Sequence, residues 1–297
     1  MGSLSAFIGK MTTYYWGLRY KICNLPQWDI MSNEEAVDLI KNQGFSLSRF
    51  GDGEFRWMNS NEDECNFQKP SPELRQKLAE AFAVRSTNLL LGIPALMQDN
   101  TACVPYARNF WRRYSVINRQ WLRDTISEDR RYVDTNITRP YIDYLDKEKA
   151  FQQIELVKSI WDKRNVLIVE GERTKFGVGN DLLSNANQVK RIIAPAENAF
   201  SCYSEIKDRI REHATRDTLV LACLGPTASA LAVDLCLDGY QIIDIGHFDI
   251  EYEWYLMGAQ KKVPIPGKYV NEAGYFGDCT LDNDVLYRSC IVSVVEK

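Results

Sequence analysis

Two uninterrupted apolar runs constrain the fold of this chain more than any other feature. The first reads NVLIVE over residues 165–170, and the second reads TLVLACL over residues 218–224. Runs without polar alternation are typical of parallel strands that helices cover on both faces. The pattern predicts further strands at Phe45–Phe50, Asn88–Pro94, Arg191–Pro195, Tyr240–Ile245 and Val285–Val295.

Helical patterns separate these strands along the chain. They cover Glu34–Lys41, residues 71–84, Tyr106–Ile126, Lys147–Lys163, Asp181–Ala186, Ser201–Ala214 and Thr227–Leu237. Strands and helices alternate between residues 165 and 246, which indicates a doubly wound sheet. We therefore expect an α/β fold with a Rossmann-like, mostly parallel sheet flanked by helices. Residues 31–297 are predicted to form one domain, preceded by an extension over residues 1–30.

Composition excludes several other classes of protein. The 297 residues are 45% hydrophobic and 26% charged, which is ordinary for a globular chain. The net charge of −4 disfavours a nucleic-acid partner. No secretory signal or long apolar run is evident, and none of the eight cysteines forms a CxxC pair. The expectation is a cytoplasmic protein without a transmembrane segment, for which peripheral membrane association is possible.

Parallel sheets bind ligands at the carboxyl ends of their strands, so functional residues are expected in the loops that follow strands. The first loop carries Asp52 and Glu54, two residues apart and flanked by glycines. In an extended segment both carboxylates would point the same way and could hold one hard cation, Mn²⁺ or Mg²⁺. The alternative is an ordinary tight turn, because Asp-Gly is a strong turn signal.

The loop after residue 170 combines charges with glycines. Glu172, Arg173, Gly177, Gly179 and Asn180 lie between a predicted strand and a predicted short helix. Glycines, cations and free helix N–H groups together make an anion site, so these residues are candidates for binding a nucleotide phosphate. The alternative is a βα loop whose charges are merely solvated.

Four further residues are candidates for the same phosphate site. Gly225 and Thr227 follow the apolar run at 218–224, where Thr227 could bind a phosphate or cap the next helix. Arg49 ends the strand before Asp52, and Arg139 could hold a diphosphate through its bidentate fork. An isolated surface arginine is the alternative for Arg139.

The loop after residue 245 carries the catalytic candidates. His247, Asp249 and Glu251 follow a predicted central strand. A histidine or carboxylate at this edge could act as a general base. The alternative for Asp249 is a cap on a helix that begins near residue 250.

Several segments together, rather than any one, resemble a known family. In chain order they read RFGDGE, TNITRPY, EGERTKFGVGNDL, RIIAPAENAF, LGPTASALAVDL, DIGHFDIEYEW and KYVNEA. They are similar to segments of the GT-D-type glycosyltransferases of bacterial glycan-assembly clusters. The resemblance spans roughly residues 30 to 275, and therefore nearly the whole chain.

The resemblance implies a function that the individual motifs do not. It implies transfer of a hexosyl group, glucose-like, from a UDP-sugar to a glycan or lipid-linked glycan acceptor in polysaccharide or glycoprotein glycan assembly. It also implies a GT-D-type fold and an Asp-x-Glu metal motif, which matches Asp52 and Glu54. The alternatives are a metal-dependent phosphohydrolase and a non-catalytic nucleotide-binding module.

Overall fold

A single parallel sheet organises the chain. In the computed structural model, which describes residues 2–59, 67–278 and 284–296, nine described strands pair in the order β1-β4-β3-β2-β8-β7-β5-β6-β11. These strands are β1 Asp29–Met31, β2 Ser46–Arg49, β3 Leu89–Ile93, β4 Arg131–Asp134, β5 Asn165–Gly171, β6 Gln188–Ala194, β7 Leu219–Cys223, β8 Gln241–Asp244 and β11 Ile291–Val294. The short strands β9 Tyr269–Val270 and β10 Tyr275–Phe276 form an antiparallel pair. The predicted mostly parallel α/β sheet is confirmed.

Helices cover both faces of this sheet. They are α1 Gly2–Lys21, α2 Asn33–Gln43, α3 Asp52–Asn59, α4 Pro72–Ala83, α5 Pro105–Ile117, α6 Arg119–Thr125, α7 Glu148–Lys158, α8 Tyr203–His213, α9 Pro226–Leu237, α10 Phe248–Leu256 and α11 Val285–Ser289. Within the described ranges, none of them is both long enough and apolar enough to cross a bilayer.

The apolar run of β5 shows how the two layers are built. Val166 and Ile168 pack into the core beneath α2 and α7, whereas Leu167 and Val169 pack on the opposite side against α8 and α9. Both faces of the strand are therefore buried, because successive side chains point to opposite sides of a sheet. This explains why the sequence lacks the alternation of a half-exposed strand.

The sheet consists of two sequence halves that meet at one seam. Strands β1–β4 form one half, and β5–β8 with β11 form the other, so β2 and β8 are neighbours across the seam. Only Leu47 and Ile243 are paired in register between them. Side chains reinforce this short pairing, since the hydroxyl of Ser229 donates to the carbonyl oxygen of Arg49 and to Oδ2 of Asp244.

Two helix predictions were wrong. The predicted helix Tyr106–Ile126 is divided at Asn118, whose side-chain amide donates to the carbonyl of Tyr114. The predicted helix Asp181–Ala186 is a series of turns. There the side-chain oxygen of Asn180 accepts the N–H of Leu182, and such a local bond competes with helix formation.

The strand predictions failed at the edges of the sheet. Val285–Val295 was expected to be one strand, but Asp284 caps helix α11 and only Ile291–Val294 pairs with β6. The edge strand β1, of three residues, and its neighbour β4, of four, were not predicted. Short edge segments carry little periodicity, so their pairing is decided by tertiary contacts.

A glycine substitution tests the packing at the seam. Gly246 has a φ of +54°, and an added Cβ would lie 1.9 Å from Nη2 of Arg49. We expect Gly246→Ala to lower the free energy of unfolding by more than the ~1–2 kcal/mol of left-handed backbone strain, because the guanidinium must also move.

Urea denaturation measures this loss against a matched control. Gly258 has a φ of +61°, with no described atom within 4 Å of an added Cβ. Gly258→Ala should therefore show the backbone strain alone. Equal losses in the two variants would contradict the interpretation.

Candidate functional site

A cleft of about 460 Å³ opens above the carboxyl ends of the central strands. It is lined by residues that follow strands from both halves of the sheet, so it lies over the seam. These residues are Gly51–Glu54 after β2, Thr135 and Asn136 after β4, Gly171 at the end of β5, Leu224 and Gly225 after β7, and Gly246 and His247 after β8. This is the edge at which parallel α/β sheets bind ligands.

Arg49 lines the cleft, but its guanidinium is bonded to the protein. Nη2 donates to Oδ1 of Asp244 at 2.8 Å, and Nε donates to the carbonyl oxygen of Asp244 at 2.7 Å. Nη1 donates to the carbonyl oxygen of Thr135 at 3.3 Å. The geometry therefore favours a part in joining β2 to β8 over the phosphate contact predicted for Arg49.

Asp52 and Glu54 lie in the cleft but not in the extended segment that the sequence suggested. They occupy the first turn of α3, where residues two apart point to different sides of the helix. Oε2 of Glu54 accepts the N–H of Gly51 at 2.9 Å, as acids at the third helical position commonly do. Asp52 is 37% exposed, and its Oδ2 lies 3.6 Å from Nη2 of Arg56. Asp52 is thus the more available carboxylate.

The surroundings of Asp52 and Glu54 disfavour the ionised form of both carboxyl groups. Burial, followed by the charge of Asp244, raises the pKa of Glu54 to about 7. Burial also raises the pKa of Asp52, against the opposing charges of Arg56, Arg139 and Lys262. A bound cation would lower both pKa values, because it favours the ionised carboxylates.

Arg139 joins several charged groups on the far side of the cleft. Its Nη2 lies 2.9 Å from Oε1 of Glu272, and its Nε lies 3.7 Å from Oε1 of Glu251. Nδ1 of His247 is 3.1 Å from Oε2 of Glu272, an ion-pair distance without hydrogen-bond alignment. Burial opposes the charge on Glu272, but His247 and Arg139 outweigh it and hold the pKa of that carboxyl well below its usual range.

Asp249 is held in a buried polar cluster. Its Oδ1 accepts the N–H of Gly177 and the side-chain amide of Asn180, both at 2.9 Å. Its Oδ2 lies 2.7 Å from Nζ of Lys268, which also contacts Oε1 of Glu253 at 2.8 Å. Both oxygens of Asp249 are therefore engaged by the protein.

Glu251 is likewise buried and bonded. Its Oε2 accepts the N–H groups of Tyr141 and Ile142, each at 2.9 Å. Asp249 does not cap α10 either, because its carboxylate bonds outside that helix and His247 occupies the cap position. The geometry favours positioning roles for both acids over the catalytic base predicted for them.

The loop after β5 contributes less to the cleft than the sequence suggested. Glu172, Arg173 and Gly179 are exposed and do not line it. The other two predicted residues of this loop bond to the buried carboxylate of Asp249, as described above. Gly171 and Thr174 are the positions near this loop's start that line the cleft.

The loop after β7 brings one of its two candidates to the cleft. Gly225 lines it with a φ of +53°, and an added Cβ would lie 2.5 Å from Cε2 of Phe67. Thr227 is fully buried behind it, and its hydroxyl has no hydrogen-bond partner among the described residues. Close packing explains the glycine without a ligand.

Several residues of the cleft were missed by the sequence analysis. Glu272 lies in the segment KYVNEA, whose resemblance to the family was the sequence feature that could have identified it. Lys262 lies 3.7 Å from Oδ1 of Asp143, which also accepts the hydroxyl of Tyr106. An aromatic set lines the same cleft: Trp57, Phe67, Tyr106, Phe110 and Trp111.

Comparison with known proteins is consistent with this geometry. The family model described as "Glycosyltransferase GT-D fold" matches residues 47–273, which include the cleft residues of both sheet halves. The chain belongs to the GT-D glycosyltransferase family. One solved structure of this family, described as domain of unknown function 1792 with a distinct glycosyltransferase fold, is 32% identical, with a TM-score of 0.86 over 96% of this chain and all of that chain. A second, a glycosyltransferase (DUF1792) from Streptococcus sanguinis, is 34% identical, with a TM-score of 0.85 over 91% of this chain and all of that one.

Two curated relatives of this GT-D chain are longer proteins. Glycosyltransferase GlyD of Streptococcus pneumoniae serotype 4 is 38% identical over 261 residues, or 88% of this chain and 32% of the relative. The probable glycosyl transferase Gly of Streptococcus gordonii is 37% identical over 272 residues, or 90% of this chain and 39% of the relative. The chain thus spans between a third and two fifths of their length.

The buried cluster around Lys268 generates a stability prediction. Lys268→Met would leave Asp249 and Glu253 without their shared cation, and breaking a buried ion pair costs about 3–5 kcal/mol. Urea denaturation should show a loss of that size. Lys261→Met is the control, because the exposed Lys261 should change stability by no more than ~0.5 kcal/mol. Similar stabilities for the two variants would refute the assignment.

Proposed function

We propose that this GT-D cleft binds a UDP-sugar with Mn²⁺ or Mg²⁺ and transfers a glucose-like hexosyl group to a glycan acceptor. The acceptor would be a growing or lipid-linked glycan of bacterial polysaccharide or glycoprotein assembly. One observation carries the proposal: the carboxylate of Asp52, 37% exposed, faces the cleft that Arg56, Arg139 and Lys262 also line. A carboxylate among cations suits a metal-bound diphosphate.

The donor set fits a cation that the substrate helps to hold. Asp52 offers an open carboxylate, and Glu54 keeps Oε1 outside its bond to Gly51. The residues that the structure describes contain no group of three or more His, Cys, Asp or Glu side chains placed to hold a metal ion. Mg²⁺ and Mn²⁺ commonly bind one or two carboxylates and complete their shell with phosphates and water. A two-metal phosphohydrolase, which needs several convergent ligands, is less favoured.

Cations of the chain would stabilise the leaving group. A departing nucleoside diphosphate gains negative charge as the glycosidic bond breaks, and preorganised cations stabilise that charge. Arg139 is held by Glu272 and Glu251, so it needs little reorganisation to meet a phosphate. Lys262, on the same cleft, lies 3.7 Å from Oδ1 of Asp143 and 5.8 Å from the ring centroid of Tyr106.

His247 becomes the favoured acceptor-side base. It lines the cleft, and its Nδ1 faces Glu272, so Nε2 is the nitrogen that would accept the hydroxyl proton. Glu272 would orient the ring and stabilise the imidazolium that forms. Asp249 and Glu251 would act indirectly, since both oxygens of Asp249 and Oε2 of Glu251 already accept hydrogen bonds.

A nucleotide panel tests the donor assignment. We expect UDP with Mn²⁺ to raise the melting temperature more than ADP or GDP, and the enzyme to release UDP slowly from a UDP-hexose in water. Asp52→Asn should abolish the metal-dependent part of both effects while the unliganded fold is retained, because the change is nearly isosteric. Comparable stabilisation by all three nucleotides would remove the UDP assignment. Metal-dependent wild-type turnover in Asp52→Asn would remove the metal assignment.

The assignment of the base is tested separately. With saturating donor and an acceptor glycan, His247→Gln should lower turnover by roughly 10²–10⁴ with an unchanged melting temperature. Glu272→Gln should lower turnover less and shift its pH profile, because it acts through the histidine. Normal turnover in His247→Gln would contradict a base at this position and favour a retaining transfer.

A further inference from the structure

Helix α1 packs on α5 through one of its faces. Cζ of Arg113 lies 5.9 Å from the ring centroid of Trp16, and an added Cβ at Gly17 would lie 3.4 Å from the guanidinium of Arg112. The hydroxyl of Tyr20 donates to the carbonyl oxygen of Met97 at 2.7 Å, which ties the helix to the loop after β3. This face fixes the position of α1 on the domain.

The opposite face of α1 is apolar and uncovered. Its large side chains recur with helical spacing and are between 47% and 72% exposed. We name them the α1 stripe: Met11, Tyr14, Tyr15 and Leu18 on the helix, with Ile22 directly after it. A contiguous apolar surface of this kind marks an interaction site more often than a scattered one.

Basic residues surround the stripe in an otherwise acidic chain. Residues 1–28 contain Lys10, Arg19 and Lys21 but no Asp or Glu, although the whole chain has a net charge of −4. The neighbouring segment Pro105–Thr125 contains five arginines and one acid. Where the structure describes the chain, no acidic side chain forms an ion pair with five exposed cations of α1 and this neighbouring segment, Arg19, Lys21, Arg113, Arg119 and Arg123.

Three of these arginines converge at the end of α1. Arg19 lies two residues before the end of α1, and Arg119 and Arg123 lie one turn apart on α6. Burial raises the pKa of the Cys23 thiol, and the charges of Arg119, Arg19 and Arg123 oppose that rise. Nη1 of Arg123 reaches the carbonyl oxygen of Asn24 at 3.4 Å. The cations thus form one local field beside the apolar stripe.

We propose that the α1 stripe and the surrounding basic residues dock on the surface of an anionic lipid bilayer. An apolar helix face flanked by Lys and Arg binds the boundary between headgroups and acyl chains, and tyrosine is favoured at that depth. A second copy of the chain is a poorer occupant, since it would bring the same positive charge to the contact. Anionic headgroups provide the opposite charge, at about 1 kcal/mol per basic residue.

Docking would place the cleft beside the bilayer. Tyr106 and Phe110 of α5 line the cleft, while Arg112 and Arg113 of the same helix contact α1. A lipid-attached acceptor could then reach the cleft without leaving the membrane. This last step rests on the proposed function, whereas bilayer binding itself does not.

Vesicle flotation of the full 297-residue chain tests the proposal. The chain should float with vesicles of phosphatidylcholine mixed with phosphatidylglycerol, and at least tenfold less with phosphatidylcholine alone. Leu18→Glu should abolish flotation. Arg19→Glu changes the charge by two units and should weaken flotation about thirtyfold, as expected for ~1 kcal/mol per charge; raised salt should also weaken it.

Matched variants serve as controls for hydrophobicity and charge. Leu286→Glu on α11 and Lys149→Glu on α7 make the same changes at exposed residues away from the stripe, and they should float like the wild type. UDP release from the soluble donor should be unchanged in Leu18→Glu, which separates docking from catalysis. Equal flotation with neutral and anionic vesicles, or undiminished flotation of Leu18→Glu, would overturn the proposal. A chain that does not float, but forms an oligomer that Leu18→Glu dissociates, would also overturn the proposal. In that case a second copy of the chain would cover the stripe.

Discussion

The ion pair between Arg49 and Asp244 joins the two sequence halves at the place where backbone pairing is shortest. Two nitrogens of the arginine bond to one residue of β8, and a third bonds to the loop after β4. Ser229 of α9 bonds to both partners from the face of the sheet. Since the cleft lies directly over this junction, the position of every loop around it depends on these bonds.

The acids around the cleft divide into two groups by their partners. Asp244, Asp249 and Glu251 are buried and bonded to cations or backbone N–H groups, so they stabilise the loops that carry them. Asp52 keeps a carboxylate that faces the cleft. The sequence alone does not distinguish these acids, because they differ in their tertiary contacts. For this reason a direct role at the ligand is proposed for Asp52 and not for the three bonded acids.

The sequence analysis succeeded where local pattern decides the outcome. The apolar runs of β5 and β7 identified a parallel sheet, because a strand buried on both faces needs apolar residues at consecutive positions. The loops that follow the strands were therefore found, and Asp52 was found with them. Its conformation was predicted wrongly, because the bond from Glu54 back to Gly51 that starts α3 was not anticipated. Glu272 was not singled out, since its contacts with Arg139 and His247 join segments distant in sequence.

The single register pair between β2 and β8 has a consequence for how the molecule responds to its ligand. Asp52 belongs to one half of the sheet and His247 to the other, so any molecule that touches both bridges the junction. A ligand bound in the cleft would then cross-link the two halves reversibly, and they would separate less often through thermal motion. Without ligand the two halves would separate more often, so amide hydrogen exchange in β2 and β8 would be faster than in the liganded chain.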